Sequence, residues 1–132
     1  MEQSNLQFSN PRIEKIDFRV AKEEIKSDDL PISIEVECNA NSDAKEAIVT
    51  LNLIIGEIDE QNIVKTSFYF NGNIFADFKW DDKIKNPDGM LKVSGGTVLL
   101  SYIRPILANL TMQAGMKPLN LPFINFTTLE SE

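Results

Sequence analysis

Chemistry at neutral pH most often runs through histidine, and this chain of 132 residues has none. Its one cysteine, Cys38, can neither close an intrachain disulfide nor assemble a zinc site by itself. Cys38 also falls in the alternation Ile32, Ile34, Val36, Cys38, where a small buried hydrophobe is the better reading than a nucleophile. Carboxylates are plentiful, but Asp17, Glu35 and Glu37 occupy the polar parity of alternating segments, where charge is simply solvated. The pair Asp81-Asp82 could hold a cation or start a turn, and turns are the commoner use. Gly95-Gly96 precedes an apolar run and could cradle phosphate, yet the lysine and glycine spacing of a P-loop is missing. The expectation is a protein that is not an enzyme, with no catalytic residues, no metal and no cofactor.

Charge narrows the partners. A net charge of −7 and a pI near 4.6 argue against nucleic acid, whose phosphates attract an excess of Lys and Arg. The start, MEQSNLQFSN, lacks a basic stretch followed by an apolar run, and no segment approaches the ~20 apolar residues of a membrane span. With a lone cysteine, these features set the expectation of a cytoplasmic protein without membrane insertion.

The elements that must carry any function follow from periodicity. Residues 1–10 are polar and expected as a flexible tail. Residues 12–20 alternate, with Ile16, Phe18 and Val20 on one side and Lys15, Asp17 and Arg19 on the other. A short charged connection, 21–31, leads to the cleanest alternation, 32–38. A third strand is expected over 47–58, with Val49, Leu51, Leu53 and Ile55 facing one way. A fourth, over 63–78, is aromatic: Phe68, Phe70, Ile74 and Phe78 share a parity with Gly72, which marks a bulge or a close backbone approach. Residues 80–90 read as a loop around Asn86-Pro87-Asp88-Gly89.

A helix is expected after Gly95-Gly96, stopping at Gly115, with Leu99, Ile103, Ile106 and Leu110 at helical spacing. Leu100, Leu107 and Ala114 form a second apolar row, so the helix needs cover on more than one side. Pro105 implies a kink, or a helix that begins there. Four antiparallel strands followed by one long helix define an α+β class. Apolar residues also occupy the other parity of the last two strands: Ile48, Ile54, Ile58, Ile63, Tyr69 and Phe75. Surplus apolar surface implies an oligomer interface or a binding surface.

The C-terminal wording is more specific. Tyr102 and Arg104 in the helix, Ala114-Gly115 at its end, then Pro118-Leu119-Asn120-Leu121-Pro122 and Ile124-Asn125-Phe126 resemble the close of the SecB export-chaperone family. Phe123 stands where that family has its last proline, and the run from Phe70 to Phe75 resembles the family's last strand. The segment 21–31 is shorter than the family's aromatic crossover, and no second helix is expected after Phe126.

The resemblance implies a domain over 11–126, with 127–132 as a C-terminal tail. It implies a homotetramer, a dimer of dimers, in which sheets extend across one interface and long helices pack across the other. It further implies an ATP-independent holdase for unfolded polypeptide, such as a preprotein handed to the SecA motor. A branch of the same family serves toxin–antitoxin–chaperone systems and holds an aggregation-prone antitoxin. Client contacts are expected at Phe75, Phe78, Trp80, Leu91 and Val98, and subunit contacts at Leu99, Ile103, Ile106 and Leu110. Two other classes fit the apolar surplus: an adaptor that bridges proteins by a sheet edge, and a small-ligand carrier using the aromatic strand.

Overall fold

Period-two alternation builds one antiparallel sheet, seen in a computed structural model that describes residues 6–23, 25, 29–84, 87–121, 124 and 126. Its strands are β1 (Leu6–Phe8), β2 (Arg12–Val20), β3 (Ile32–Asn41), β4 (Glu46–Ile55) and β5 (Phe68–Trp80), and the helix α1 (Pro87–Gln113) follows. The class is α+β. β5 pairs with β4 on one side and with β1 and β2, end to end, on the other, while β3 lies beyond β4. Pro11, which has no N–H to give a ladder, stands in the gap between β1 and β2.

The stretch expected as a tail therefore contributes a strand. Leu6 lies opposite Trp80 and Phe8 opposite Phe78, and the Phe8 and Phe78 rings stack at 5.7 Å. Two apolar residues of one parity were enough, because β5 runs past the end of β2 and offers them a partner.

One sheet face carries the core. Val49, Leu51, Leu53 and Ile55 of β4 and Phe68, Phe70, Ile74, Ala76 and Phe78 of β5 are at most 3% exposed. Each of the larger ones contributes about 1.5–3 kcal/mol through burial. Gly72 keeps the ladder regular, opposite Ile16 and Leu53, so it marks a close approach: a Cβ there would lie 2.6 Å from Cζ of Phe70. The bulge sits instead on β2, between Ile13 and Lys15.

The third and fourth strands are shorter at their junction than alternation suggested. β4 stops at Ile55 because Gly56 turns the chain with φ +84°. Residues 56–67 then satisfy their backbone through turn hydrogen bonds, such as Asp59 N–H to the Ile63 carbonyl and Lys65 N–H to the Glu57 carbonyl, and through two side chains. The Asp59 carboxylate accepts the N–H groups of Gln61 and Ile63, both at 2.9 Å, and Thr66 Oγ1 accepts the N–H of Glu57 at 3.0 Å.

The Ile63 N–H is the main reason the Asp59 carboxyl is held below the usual carboxylate range; the Gln61 N–H and Lys65 add to it, against partial desolvation. A depressed folded pKa means stability that is complete above the unfolded value and lost as pH falls through the folded one. Asp59→Asn is therefore expected to be less stable than the parent at pH 7, with the gap closing near the acid limit. Urea unfolding at both pH values checks this; an equal gap at both would remove the charge from the explanation.

α1 begins earlier than expected. Pro87 suits a first helical position, where its fixed φ helps and its missing N–H costs nothing, and Asp88 adds negative charge to that first turn. Gly95 and Gly96 thus lie inside the helix. A Cβ on Gly95 would sit 2.9 Å from Cγ1 of Val49, and one on Gly96 2.7 Å from Cδ1 of Phe126. The two glycines let the helix press onto the sheet on one side and onto the returning chain on another. α1 also continues through Pro105.

The stop is as expected: Gly115 has φ +84°, its N–H reaches the Met112 carbonyl at 3.1 Å, and the Met116 N–H reaches Thr111 at 3.0 Å. The chain then folds back. The Leu119 N–H donates to Oγ1 of buried Thr111 at 2.9 Å, and Leu121 and Phe126 are buried. Pro122, Phe123, Asn125 and 127–132 lie outside the described residues. Thr111→Val keeps the shape but strands the Leu119 N–H, a loss of about 1–3 kcal/mol by denaturant unfolding.

Candidate functional site

The reactive groups first. Cys38 is half-buried opposite Val49, and burial, reinforced by the charge of Asp88 and opposed by Lys92, pushes its thiol pKa up. It is thus a thiol, not an activated thiolate. Asp81 accepts the Lys83 N–H at 2.9 Å and its carbonyl takes the Ile84 N–H, while Asp82 pairs with Lys45. This pair builds a turn. Among the described residues no group of three or more Cys, Asp or Glu is placed to hold a metal ion, and no helix is long and apolar enough to cross a membrane.

The expected client residues do not converge. Phe78, Trp80 and Leu91 are buried in the core. Phe75 lies on the opposite sheet face, half-buried, with the Arg12 guanidinium 4.6 Å above its ring. Val98 is half-exposed on the helix. The reason is parity: even-numbered residues of β5 face α1, so its aromatic row is the floor of the core. Among the expected subunit contacts, Leu99 and Ile103 are buried against this chain's own sheet, and Ile106 and Leu110 are half-buried. Tyr102 is exposed, and Arg104 is half-buried.

The open apolar surface lies elsewhere. Phe8 (45% exposed), Ile13 (46%), Ile16 (36%) and Val20 (42%) line the edge made by β1 and β2. They sit opposite Phe78, Ile74, Gly72 and Phe68, so they share the sheet face of α1. α1 packs over β3, β4 and β5 and leaves this strip uncovered. Alternation identified the apolar side of β2; nothing in the sequence told that the helix would be offset from it.

At the end of the strip a hollow of about 650 Å³ opens, with Val20, Ile25, Ile63 and Val64 as its apolar lining and Arg19, Lys22 and Lys65 beside them. A second, of about 420 Å³, sits at the β3–β4 hairpin beside Cys38 and Ile48. No aromatic residue of β5 lines either hollow. On the far sheet face the two arginines of β2 are paired: Arg12 with Asp77 at 3.2 Å and Arg19 with Asp17 at 2.9 Å. Asp17, by its hydrogen bond and then its charge, holds the Arg19 pKa above the usual guanidinium value.

Both outer strands, β2 and β3, have one side without a partner strand among the described residues. A free edge flanked by exposed aliphatic side chains can pair with another chain.

No protein-family model matches the sequence, and no curated protein matches it. Solved structures do match in shape. The Mycobacterium tuberculosis Rv1957 SecB-like chaperone, in complex with a ChAD peptide from the Rv1956 HigA1 antitoxin, superposes with a TM-score of 0.70 at 15% identity, over 92% of this chain and 91% of that one. A protein of unknown function from Streptococcus agalactiae superposes with a TM-score of 0.56 at 12% identity, over 89% of this chain and 97% of the other. The five-stranded sheet, the offset helix and the returning C-terminal segment together have the fold of a SecB-like chaperone.

Proposed function

We propose that this protein is a cytoplasmic, non-enzymatic SecB-like chaperone that binds non-native polypeptide without ATP. The observation that carries this reading is the uncovered apolar strip Phe8, Ile13, Ile16, Val20 on a free sheet edge. A client segment that covers apolar surface loses unfavourable hydration, and main-chain pairing adds affinity that needs no particular side chain.

The same edge also suits assembly, which would compete with a client for it. If two β2 strands pair antiparallel about Ile16, the two copies of Ile16 meet and Lys15 lies opposite the partner's Asp17. Tyr102, Ile106, Leu110 and Met112, all partly or fully exposed on α1, supply a second contact for a dimer of dimers. The test is suppression of aggregation of a chemically denatured protein at stoichiometric ratios without nucleotide. An adaptor that only bridges folded partners would give no protection.

Within this reading, a dedicated antitoxin client is favoured over a broad range of preproteins. The neighbour in fold was solved with an antitoxin peptide, and the connection 21–31 is too short to wall a long aromatic groove. Pull-down with an antitoxin and with SecA in parallel separates the two roles. Retention of SecA alone would overturn the dedicated one.

A further inference from the structure

We propose that a polypeptide bound along the strip of β1 and β2 also fills the hollow beyond Val20, and that Asp59 is the residue that positions Ile63 as the wall of that hollow. The inference rests on the polypeptide-binding reading above and adds a second contact to it.

The hollow of about 650 Å³ begins where the strip ends, because Val20 belongs to both. Ile25, Ile63 and Val64 complete its apolar lining. Ile63 is 52% exposed, more than any residue of the strip. Its backbone is nonetheless fixed. Its N–H donates to the Asp59 carboxylate at 2.9 Å, and its carbonyl accepts the Asp59 N–H at 3.0 Å. A bridge between Ile58 and Val64 closes the two arms of this tip, and Asn62 makes its corner with φ +64°. An apolar side chain already held in place loses little freedom when a ligand covers it.

The charges lining the hollow balance within the chain. Arg19 pairs with Asp17 at 2.9 Å and Lys65 with Asp59 at 3.4 Å. The other two charged residues of the lining, Lys22 and Glu23, are opposite in sign. No surplus charge is left to offset the burial of an ionic group, so the aliphatic lining decides what fits. An extended segment that pairs with β2 and continues past Val20 brings its next apolar side chain here.

The test uses a fluorescein-labelled polypeptide kept unfolded by reduction and capping with iodoacetamide, titrated with the full chain and followed by fluorescence anisotropy. Ile63→Ala, at an exposed position outside the sheet, is expected to keep the fold. It should bind about three- to tenfold more weakly than the parent, since the covered part of one Ile side chain is lost. Asp59→Ala removes the bracket around Ile63. It is expected to weaken binding by a similar factor in the parent and by none in Ile63→Ala. A purely structural loss would weaken both backgrounds equally.

Undiminished binding by Ile63→Ala overturns the second contact while leaving polypeptide binding along the strip intact. Undiminished binding by Asp59→Ala, or an equal loss in both backgrounds, overturns the positioning role. No binding by the parent overturns this inference together with the reading it rests on. A shift in the sedimentation of Ile63→Ala with undiminished binding assigns the tip to a second copy and overturns the proposal.

Discussion

Ile16→Lys is expected to abolish self-association and aggregation suppression together, with little change in the fold. Ile16 is 36% exposed, in the middle of an edge strand, and opposite it on β5 is Gly72, which offers no side chain to pack against. Its removal therefore costs the monomer little. In a pair of β2 strands centred on this residue, the two copies would lose the burial of two Ile side chains, at about 1.5–3 kcal/mol each. They would also oppose two ammonium groups, since like charges directly across a ladder repel. A lysine on an edge strand is itself a known means of preventing edge-to-edge pairing. The combined loss corresponds to a dimer weaker by roughly 10²–10⁴-fold. Sedimentation velocity reads the assembly, thermal unfolding reads the fold, and light scattering of a denatured client reads the activity. A variant that stays assembled and protective would remove the β2 edge from both roles.

The strands were legible because alternation maps directly onto a two-sided sheet. Ile34, Val36 and Cys38 on β3 and Val49, Leu51, Leu53 and Ile55 on β4 face the core as their parity implied. The ends were less legible, since they depend on single backbone conformations. β4 ends at Gly56, and the run from Ile63 that looked like strand is held in a loop by Asp59 and Thr66. The helix start was hidden by composition. Glycine pairs and an Asn-Pro-Asp-Gly run signal turns in isolation, but here Gly95 and Gly96 are required by close packing against Val49 and Phe126.

The site was the least legible. Aromatic residues such as Phe78 and Trp80 stand out in a sequence, yet their parity commits them to the core. The exposed strip is made of ordinary aliphatic residues. It is a surface only because α1 lies over β3, β4 and β5, and that offset is a tertiary fact.

Gly56→Ala is expected to be the most destabilising single-methyl substitution in the chain, with a loss above about 3 kcal/mol. Gly56 combines two constraints. Its φ of +84° disfavours an L side chain, at about 1–2 kcal/mol. A Cβ would also stand 2.1 Å from the Phe68 carbonyl oxygen and 2.5 Å from Oγ1 of Thr66. Neither neighbour can move freely. Thr66 Oγ1 donates to that same carbonyl at 2.6 Å and accepts the Glu57 N–H, and the Gly56 N–H donates to the Pro31 carbonyl at 2.9 Å. The corner therefore ties the start of β3, the end of β4 and the start of β5, and relief of the clash strands buried polar groups at about 1–3 kcal/mol each. Gly115→Ala is the matched control. It has the same φ of +84°, but nothing lies within 4 Å of the added Cβ, so only the dihedral cost applies. Urea unfolding of the two variants separates the contributions. Equal losses would mean that the corner yields, and that the β3 edge is not held rigidly against the rest of the sheet.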